Sequence, residues 1–232
     1  MGNGKIIIDQ LKQNLQQIRL RLEFEEYFSK EGLPFSNAQS INVPAVKKET
    51  FEALLARAKK CQLCPLYKTK TNLVFGDGDL NAQIMFVGEA PGRDEDLSGI
   101  PFVGVAGELL TRIIKAMRLE RGDVFITNVL RCRPPGNRNP LPEEVVCCRP
   151  YLIELVKIIK PKIICTLGKF AAHALLDETR PISRLRGNFY DFEGIKLMPT
   201  YHPAYLLRNP QDKRLVWDDM QKIMKHLKED ET

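Results

Sequence analysis

The sequence predicts an α/β fold, a three-layer α/β/α sandwich in which a central, mostly parallel sheet of four strands lies between helices, with an additional N-terminal helix. Short apolar runs that end at a glycine, such as QIMFVG at residues 83–88, alternate with segments of helical periodicity. Parallel strands need crossover helices, and strands covered by helices on both faces become almost wholly apolar. The length of 232 residues, with 44% hydrophobic and 28% charged residues, is sufficient for one such core.

Residues 1–46 are predicted to form an amphipathic helix and a linker. Apolar residues recur every three or four positions over residues 6–28. The apolar stripe consists of Ile7, Leu11, Leu15, Ile18 and Leu22. A break begins at Gly32, and the polar stretch after it has no periodicity. This helix could pack on the main domain, pair with a second copy of the chain or bind a protein partner.

Residues 47–232 are predicted to form the main domain, which carries the alternation of strands and helices. The predicted strands are residues 83–88, 123–129, 162–167 and 195–199. The predicted helices are residues 51–60, 106–117, 143–159, 170–176 and 217–227. Because helical segments separate the strands, we expect the strands to run parallel. Their carboxyl ends then meet at one edge of the sheet, where ligands of open α/β sheets bind.

Polar residues follow three of these strands. The sequence GEAPG, which contains Glu89, begins at Gly88, Asn128 lies near the end of the second strand, and His202 follows the fourth. A carboxylate, an amide and an imidazole are thus delivered to one edge of one sheet. This convergence predicts a polar active site.

Composition and charge narrow the classes of function. Lys and Arg number 35 against 29 Asp and Glu, and the net charge of +6 permits a polyanionic partner without requiring one. No stretch approaches the roughly 20 apolar residues of a membrane-spanning helix, and the first residues lack the pattern of a secretory signal. We therefore expect a cytoplasmic protein without a membrane partner. We also expect a monomer. In a reducing compartment, six cysteines indicate free thiols or a metal site rather than a disulfide scaffold.

Four motifs resemble those of the iron-sulfur (family four) uracil-DNA glycosylases. They are GEAPG from Gly88, PFVG from Pro101, TNVLRCRPP from Thr127 and HPAYLLRNP from His202, in the order of that family. The resemblance covers residues 50–227 and makes residues 47–232 a catalytic domain. It implies an enzyme that flips uracil out of single- or double-stranded DNA and hydrolyses its N-glycosidic bond, leaving an abasic site in the repair of deaminated cytosine.

The resemblance also implies roles for the residues of the pocket. Phe102 would stack on the flipped base, with an ordinary core phenylalanine as the alternative. Asn128 would bind the Watson–Crick edge, since an amide offers an acceptor for N3–H and a donor for O4; otherwise it caps a strand end. His202 would stabilise the charge that gathers on uracil O2. Gly88 and Ala90 would bring the backbone close to the substrate.

A carboxylate is expected to stabilise the positive charge on the sugar and to position the attacking water. Glu89, Glu95 and Asp96 lie in one loop. Another family of uracil-DNA glycosylases carries an aspartate directly after the position of Glu89, where this chain has Ala90. We therefore expect Glu89 to contact the substrate, Glu95 to be the next candidate for handling water, and Asp96 to cap a helix or face solvent.

The segment from His202 to Pro210 resembles the DNA-penetrating loop of the family. Leu206 and Leu207 would enter the minor groove in place of the flipped base, although one of the two could belong to the core. Arg208 would bind a phosphate. Further phosphate contacts are expected from Arg131, Arg133, Arg138, Lys169 and Arg186.

The cysteines match the ligand set of the family. Cys61, Cys64, Cys132 and Cys148 correspond to its four ligands of a [4Fe-4S] cluster, which we expect to be a structural clamp. The uneven spacing disfavours a zinc ribbon, and a zinc site remains the alternative. Cys147 lies beside the fourth ligand, while Cys165 has the surroundings of a buried core thiol.

Two other functions stay open at this point. One is a member of the same superfamily that acts on another deaminated base or is a non-catalytic iron-sulfur DNA-binding protein. The other is an iron-sulfur electron-transfer protein, which would not need Glu89, Asn128 and His202 at one edge of a sheet.

Overall fold

The computed structural model describes residues 43–176 and 178–229, and its central layer is a sheet of six strands. The strands are β1 (Asp77–Gly78), β2 (Ile84–Gly88), β3 (Phe125–Asn128), β4 (Ile163–Leu167), β5 (Tyr190–Phe192) and β6 (Ile195–Thr200). Their order is β1-β3-β2-β4-β6-β5; the four inner strands are parallel, and the two edge strands are antiparallel to their neighbours. The predicted α/β class is confirmed, with six strands rather than four. The edge strands were missed because runs of two and three residues carry no apolar pattern.

Helices cover the sheet on both faces. They are α1 (Val43–Lys59), α2 (Arg93–Ser98), α3 (Val105–Ala116), α4 (Pro142–Ile159), α5 (Lys169–Leu176), α6 (Ile182–Leu185), α7 (Pro203–Arg208) and α8 (Lys213–Glu229). Single turns of 3₁₀ helix span Pro65–Lys68, Arg121–Asp123, Pro135–Asn137 and Pro210–Asp212. Helix α1 begins eight residues before its predicted start, and the helices of four to six residues are too short to show a periodicity. The predicted helix over residues 6–28 lies outside the described residues.

The core consists of two apolar layers, one on each face of the sheet. Met85 and Val87 of β2 pack in the layer formed with α1, α4 and α5, whereas Ile84 and Phe86 pack in the layer formed with α3, α7 and α8. All four side chains are at most 1% exposed. Successive residues of a strand point to opposite faces, so a strand between two helical layers must be apolar at every position.

The register of the parallel strands brings their carboxyl ends to one edge. Gly88 of β2 is paired with Asn128 of β3, and Leu167 of β4 with Thr200 of β6. Pairing continues into the loops, where the Leu130 N–H donates to the Glu89 carbonyl at 3.0 Å. The loop that begins with GEAPG is therefore held against the loop that follows β3.

No helix within residues 43–176 and 178–229 combines the length and the apolar character that a membrane crossing requires.

Candidate active site

A cavity of about 490 Å³ lies beyond the carboxyl ends of the parallel strands. The predicted pocket residues that line it are Glu89, Ala90, Glu95, Phe102, Asn128 and His202. Its size suits a small organic molecule, since such sites span about 300–1,000 Å³. A larger groove of about 860 Å³ lies between the start of β2 and α8 and contains none of these residues.

Gly88 lies between two side chains of the pocket. A Cβ atom at this position would be 2.3 Å from Asn128 Oδ1 and 2.5 Å from Phe102 Cζ. Both distances are far below van der Waals contact, so only glycine leaves room for this amide and this ring. Asn128 is 2% exposed, at the last position of β3.

The backbone of Phe102 is held in an unusual conformation. Its φ of 55° lies in the left-handed region, which is unfavourable for a bulky residue. The carbonyl of Phe102 accepts a hydrogen bond of 3.2 Å from Arg121 Nη1, and Gly107 of α3 packs directly against that carbonyl. The ring is only 7% exposed, and its centroid lies 5.6 Å from that of His202. Sequence patterns did not reveal that Gly107 and Arg121 fix this ring.

His202 caps the N-terminus of α7. Its Nδ1 atom accepts a hydrogen bond of 3.1 Å from the backbone N–H of Ala204. Removal from water lowers the pKa of His202 to about 4; Arg208 also lowers it, and Glu95 opposes the shift. The imidazole is therefore neutral at pH 7, and because Nδ1 is the acceptor, the proton is assigned to Nε2.

Glu89 is a half-buried carboxyl in the wall of the cavity. Burial raises the pKa of Glu89 to about 7, against the opposing effect of Lys169 at the start of α5. A group with a pKa near 7 can accept a proton under physiological conditions. Lys169 follows the end of β4, the one inner strand whose end we did not predict to contribute to the pocket.

Glu95 joins the two loops that flank the pocket. Its Oε2 atom accepts from the Gly92 N–H at 3.0 Å, and Oε1 accepts from the N–H groups of Val103 and Gly104 at 3.0 and 3.1 Å.

The expectation that Asp96 caps a helix or faces solvent was wrong. This residue is 3% exposed, and its carboxylate accepts a hydrogen bond from the distant backbone N–H of Thr71 at 2.9 Å.

The two adjacent leucines of α7 differ in their surroundings. Leu206 is 1% exposed and packs in the core layer with α3 and α8, so the interpretation of this residue as a DNA wedge is wrong. Leu207 is 39% exposed, because neighbouring positions on a helix point about 100° apart. Arg208 is exposed and lies at the rim of the cavity.

Three of the basic residues that were expected to bind phosphates are either buried or paired with a carboxylate of the protein. Arg131 is 1% exposed, and Arg186 forms an ion pair with the buried carboxylate of Asp219. Arg138 forms a bidentate salt bridge with Glu144, with N···O distances of 2.6 and 2.9 Å. Arg131 and Arg186 were therefore wrongly predicted as phosphate contacts.

Five of the six cysteines surround one small cavity on another side of the loop after β3. They are Cys61, Cys64, Cys132, Cys147 and Cys148, contributed by the end of α1, that loop and α4. Cys165 is buried in β4 apart from them, as predicted. Burial and the neighbouring Cys148 raise the pKa of Cys132 to about 12. Within the described part of the chain, no group of three His, Cys, Asp or Glu side chains is arranged to hold a metal ion.

Comparison with known proteins identifies relatives of this chain. The sequence profile of the uracil DNA glycosylase superfamily matches residues 75–226. The type-4 uracil-DNA glycosylase of Archaeoglobus fulgidus is 46% identical over 183 residues, covering 75% of this chain and 92% of the relative. That of Thermotoga maritima is 43% identical over 188 residues, covering 79% and 98%. The type-5 uracil-DNA glycosylase of Pyrobaculum aerophilum is 30% identical over 165 residues, covering 64% and 72%.

Proposed function

Because the chain belongs to the uracil DNA glycosylase superfamily, we infer that it is a type-4 uracil-DNA glycosylase, a DNA repair enzyme that hydrolyses the N-glycosidic bond of uracil. The observation that carries this conclusion is the single cavity that brings Glu89, Phe102, Asn128 and His202 together at the ends of the strands. An iron-sulfur electron carrier has no need of such a cavity.

The substrate enters the pocket by base flipping, since the glycosidic bond of a stacked base is out of reach. Leu207 is the exposed apolar side chain on α7 that can fill the space left in the duplex, and Arg208 beside it can bind a phosphate. Leu206 takes no part, because it is a core residue.

Uracil is recognised by the ring of Phe102 and the amide of Asn128. The ring offers a flat apolar surface for stacking, which contributes about 1–3 kcal/mol per base. The amide pairs with N3–H and O4 of uracil, whereas cytosine presents the opposite pattern and would leave polar groups unpaired at about 1–3 kcal/mol each. Both side chains can occupy these positions because Gly88 has no Cβ atom.

The leaving group is stabilised by the neutral His202. As the bond from N1 to the sugar breaks, its electron pair moves into the uracil ring and negative charge gathers on O2. The Nε2–H of His202 donates to that oxygen, while Nδ1 is fixed by the Ala204 N–H. A donor that acts on charge developing in the transition state raises the rate more than it raises substrate affinity.

Water attacks the positively charged sugar, and Glu89 takes the proton. A pKa of about 7 makes this carboxylate a better general base than an ordinary glutamate. Glu95 is the weaker candidate, since three backbone N–H groups already occupy its oxygens. We therefore assign Glu95 a positioning role, which is to hold the loops that carry Gly92 and Val103.

Four cysteines are proposed to hold a [4Fe-4S] cluster. Soft thiolates are the usual ligands of such clusters, and a four-iron body spreads its ligands more widely than one metal ion does. The unpaired N–H groups of Arg131 at the same cavity also suit an anionic group there. When bound, the cluster cross-links the end of α1, the loop after β3 and α4 as a structural clamp.

Among the two adjacent cysteines of α4, we propose that Cys148 is the ligand. Burial raises the pKa of its thiol, and the charge and the backbone N–H of Arg131, next to Cys132, oppose this shift. The thiol of Cys147 instead donates to the Leu63 carbonyl at 3.2 Å. The set of ligands is then Cys61, Cys64, Cys132 and Cys148.

We further propose a monomer that works in the cytoplasm, where the cysteines stay reduced. The helix predicted over residues 6–28 is proposed as a site for a protein partner, on the strength of its apolar stripe.

The direct test is excision of uracil from an oligonucleotide that contains one uracil, followed by alkaline cleavage of the abasic site. Wild-type protein should excise uracil from both single-stranded and duplex substrates, and His202→Ala should lose about 100- to 1,000-fold in rate. Asn128→Ala should also lose most activity. His173→Gln is the matched control, because His173 lies outside the pocket on α5. An iron-loaded wild type that excises uracil from neither substrate would refute the proposal.

A further inference from the structure

Arg131 is a buried cation in the loop that connects the active site with the cysteines. The side chain is 1% exposed, its Nη1 atom donates to the backbone carbonyl of Asn128, and the guanidinium carbon lies 5.2 Å from the centre of the Phe75 ring. Its Nε and Nη2 atoms are buried and have no hydrogen-bond partner in the described part of the chain. Two donor nitrogens of a charged group are therefore left unsatisfied.

Such a state is costly unless an anion compensates for it. A buried charge needs a partner, and breaking a buried pair by removing one member is strongly destabilising. Arg186 has such a partner, because it forms an ion pair with the buried carboxylate of Asp219. No carboxylate among residues 43–176 and 178–229 serves Arg131 in this way.

The surroundings of Arg131 supply sulfur instead of oxygen. Arg131 lines the same cavity as the cysteines and directly precedes Cys132 in the chain. A [4Fe-4S] cluster held by four thiolates is an anion whose sulfur atoms accept hydrogen bonds, and its reduction potential depends on net charge and on those bonds.

We propose that Arg131 is the internal counter-ion of the cysteine-held cluster, its Nε–H and Nη2–H groups directed to sulfur while Nη1–H holds the carbonyl of Asn128. This rests on the proposed function, in which the cysteines hold that cluster. Arg131 is then a positioning residue that ties the cluster to the turn from which Asn128 reads uracil. Loss of the cluster leaves a buried cation without a partner next to that turn.

The test compares Arg131→Met and Arg131→Lys with a control, Arg133→Met. Arg133 lies on the other side of Cys132, and its Nε atom binds Asn137 Oδ1, so the control removes an equal charge close by. The readouts are iron content, the rate of iron loss to a chelator and the reduction potential of the cluster. The potential serves only as a reporter of charge and hydrogen bonding at sulfur.

Arg131→Met should lower the reduction potential and lose iron several-fold faster than the wild type. Arg131→Lys, which keeps the charge but not the planar set of donors, should recover part of both effects. Arg133→Met should stay near the wild type in both measurements. An iron-loaded Arg131→Met with the potential and the iron loss of the wild type would overturn the proposal.

A measurement on the wild type covers the case in which Arg131→Met does not fold. Protein labelled with ¹⁵N only at the guanidinium nitrogens of arginine is reduced, and pulsed electron paramagnetic resonance is used to look for ¹⁵N coupled to the cluster. A coupling that disappears in Arg131→Lys supports the proposal, and its absence from the wild type contradicts it. A wild type that excises uracil without holding iron refutes the cluster and this inference together, while the glycosylase assignment stands.

Discussion

Gly88 and Asn128 end adjacent strands in register, and a Cβ atom on the first would lie 2.3 Å from the side-chain oxygen of the second. The same Cβ would be 2.5 Å from the ring of Phe102. Both side chains that are proposed to bind the base can therefore take their positions only because Gly88 has no Cβ atom.

Gly88→Ala should lower kcat/KM for uracil excision by about 100-fold, the effect of a displacement of about 1 Å in a reacting geometry. The added methyl pushes the Asn128 amide and the Phe102 ring away from the base. Gly122→Ala is the control, because a Cβ there meets nothing within 4 Å. Single-turnover excision measures the effect, and thermal melting checks the fold. A folded Gly88→Ala with wild-type excision would show that the contact is not important.

The pKa of Glu89 predicts the acid limb of the pH profile. If ionised Glu89 is the general base, excision should fall about tenfold per pH unit below about 7 and level off above it. Glu89→Gln should be much slower and should lack this limb. Rates measured between pH 5 and 9 under single-turnover conditions give the profile. A limb of the same midpoint in Glu89→Gln would assign the titration to another group.

The raised pKa of Glu89 also predicts how the stability of the fold depends on pH. Its pKa is raised from 4.5 in the unfolded chain to about 7 in the fold, so the folded state binds the proton more tightly. The stabilisation is complete below about 4.5 and is lost as the pH rises through about 7. At pH 8, Glu89→Gln should therefore melt at a higher temperature than the wild type, with the difference shrinking towards pH 5. A variant that is less stable at pH 8 would contradict this.

Much of the fold and of the site was predictable from the sequence. The inner strands are apolar at every position because both faces are covered, and their ends carried Glu89, Asn128 and His202 to the predicted edge. The two-residue β1 was not predictable, since its pairing with β3 depends on tertiary contacts. Arg131 was misassigned because arginine in a polar loop is normally exposed, and only the fold places it beside buried cysteines.

Iron binding should distinguish the two adjacent cysteines of α4. Cys148→Ser should lose iron and stability, because Cys148 is the proposed ligand beside Cys132. Cys147→Ser should keep its iron, since the Cys147 thiol donates to the Leu63 carbonyl and a hydroxyl can do the same. Cys165→Ser is a further control that should keep its iron. Metal analysis of the purified variants decides, and iron retained by Cys148→Ser but lost from Cys147→Ser would reverse the assignment.

The two leucines of α7 should separate stability from DNA binding. Leu206→Ala removes a core side chain and should lower the free energy of unfolding by about 2–5 kcal/mol. Leu207→Ala should change that free energy by less than about 0.5 kcal/mol, because the side chain is 39% exposed. If Leu207 fills the space of the flipped base, its loss should slow excision from duplex DNA more than from single strands, where no stack has to be maintained. Denaturant unfolding and parallel excision assays on the two substrates give both quantities. Equal slowing on duplex and single-stranded uracil would mean that Leu207 contacts the DNA without acting as a wedge.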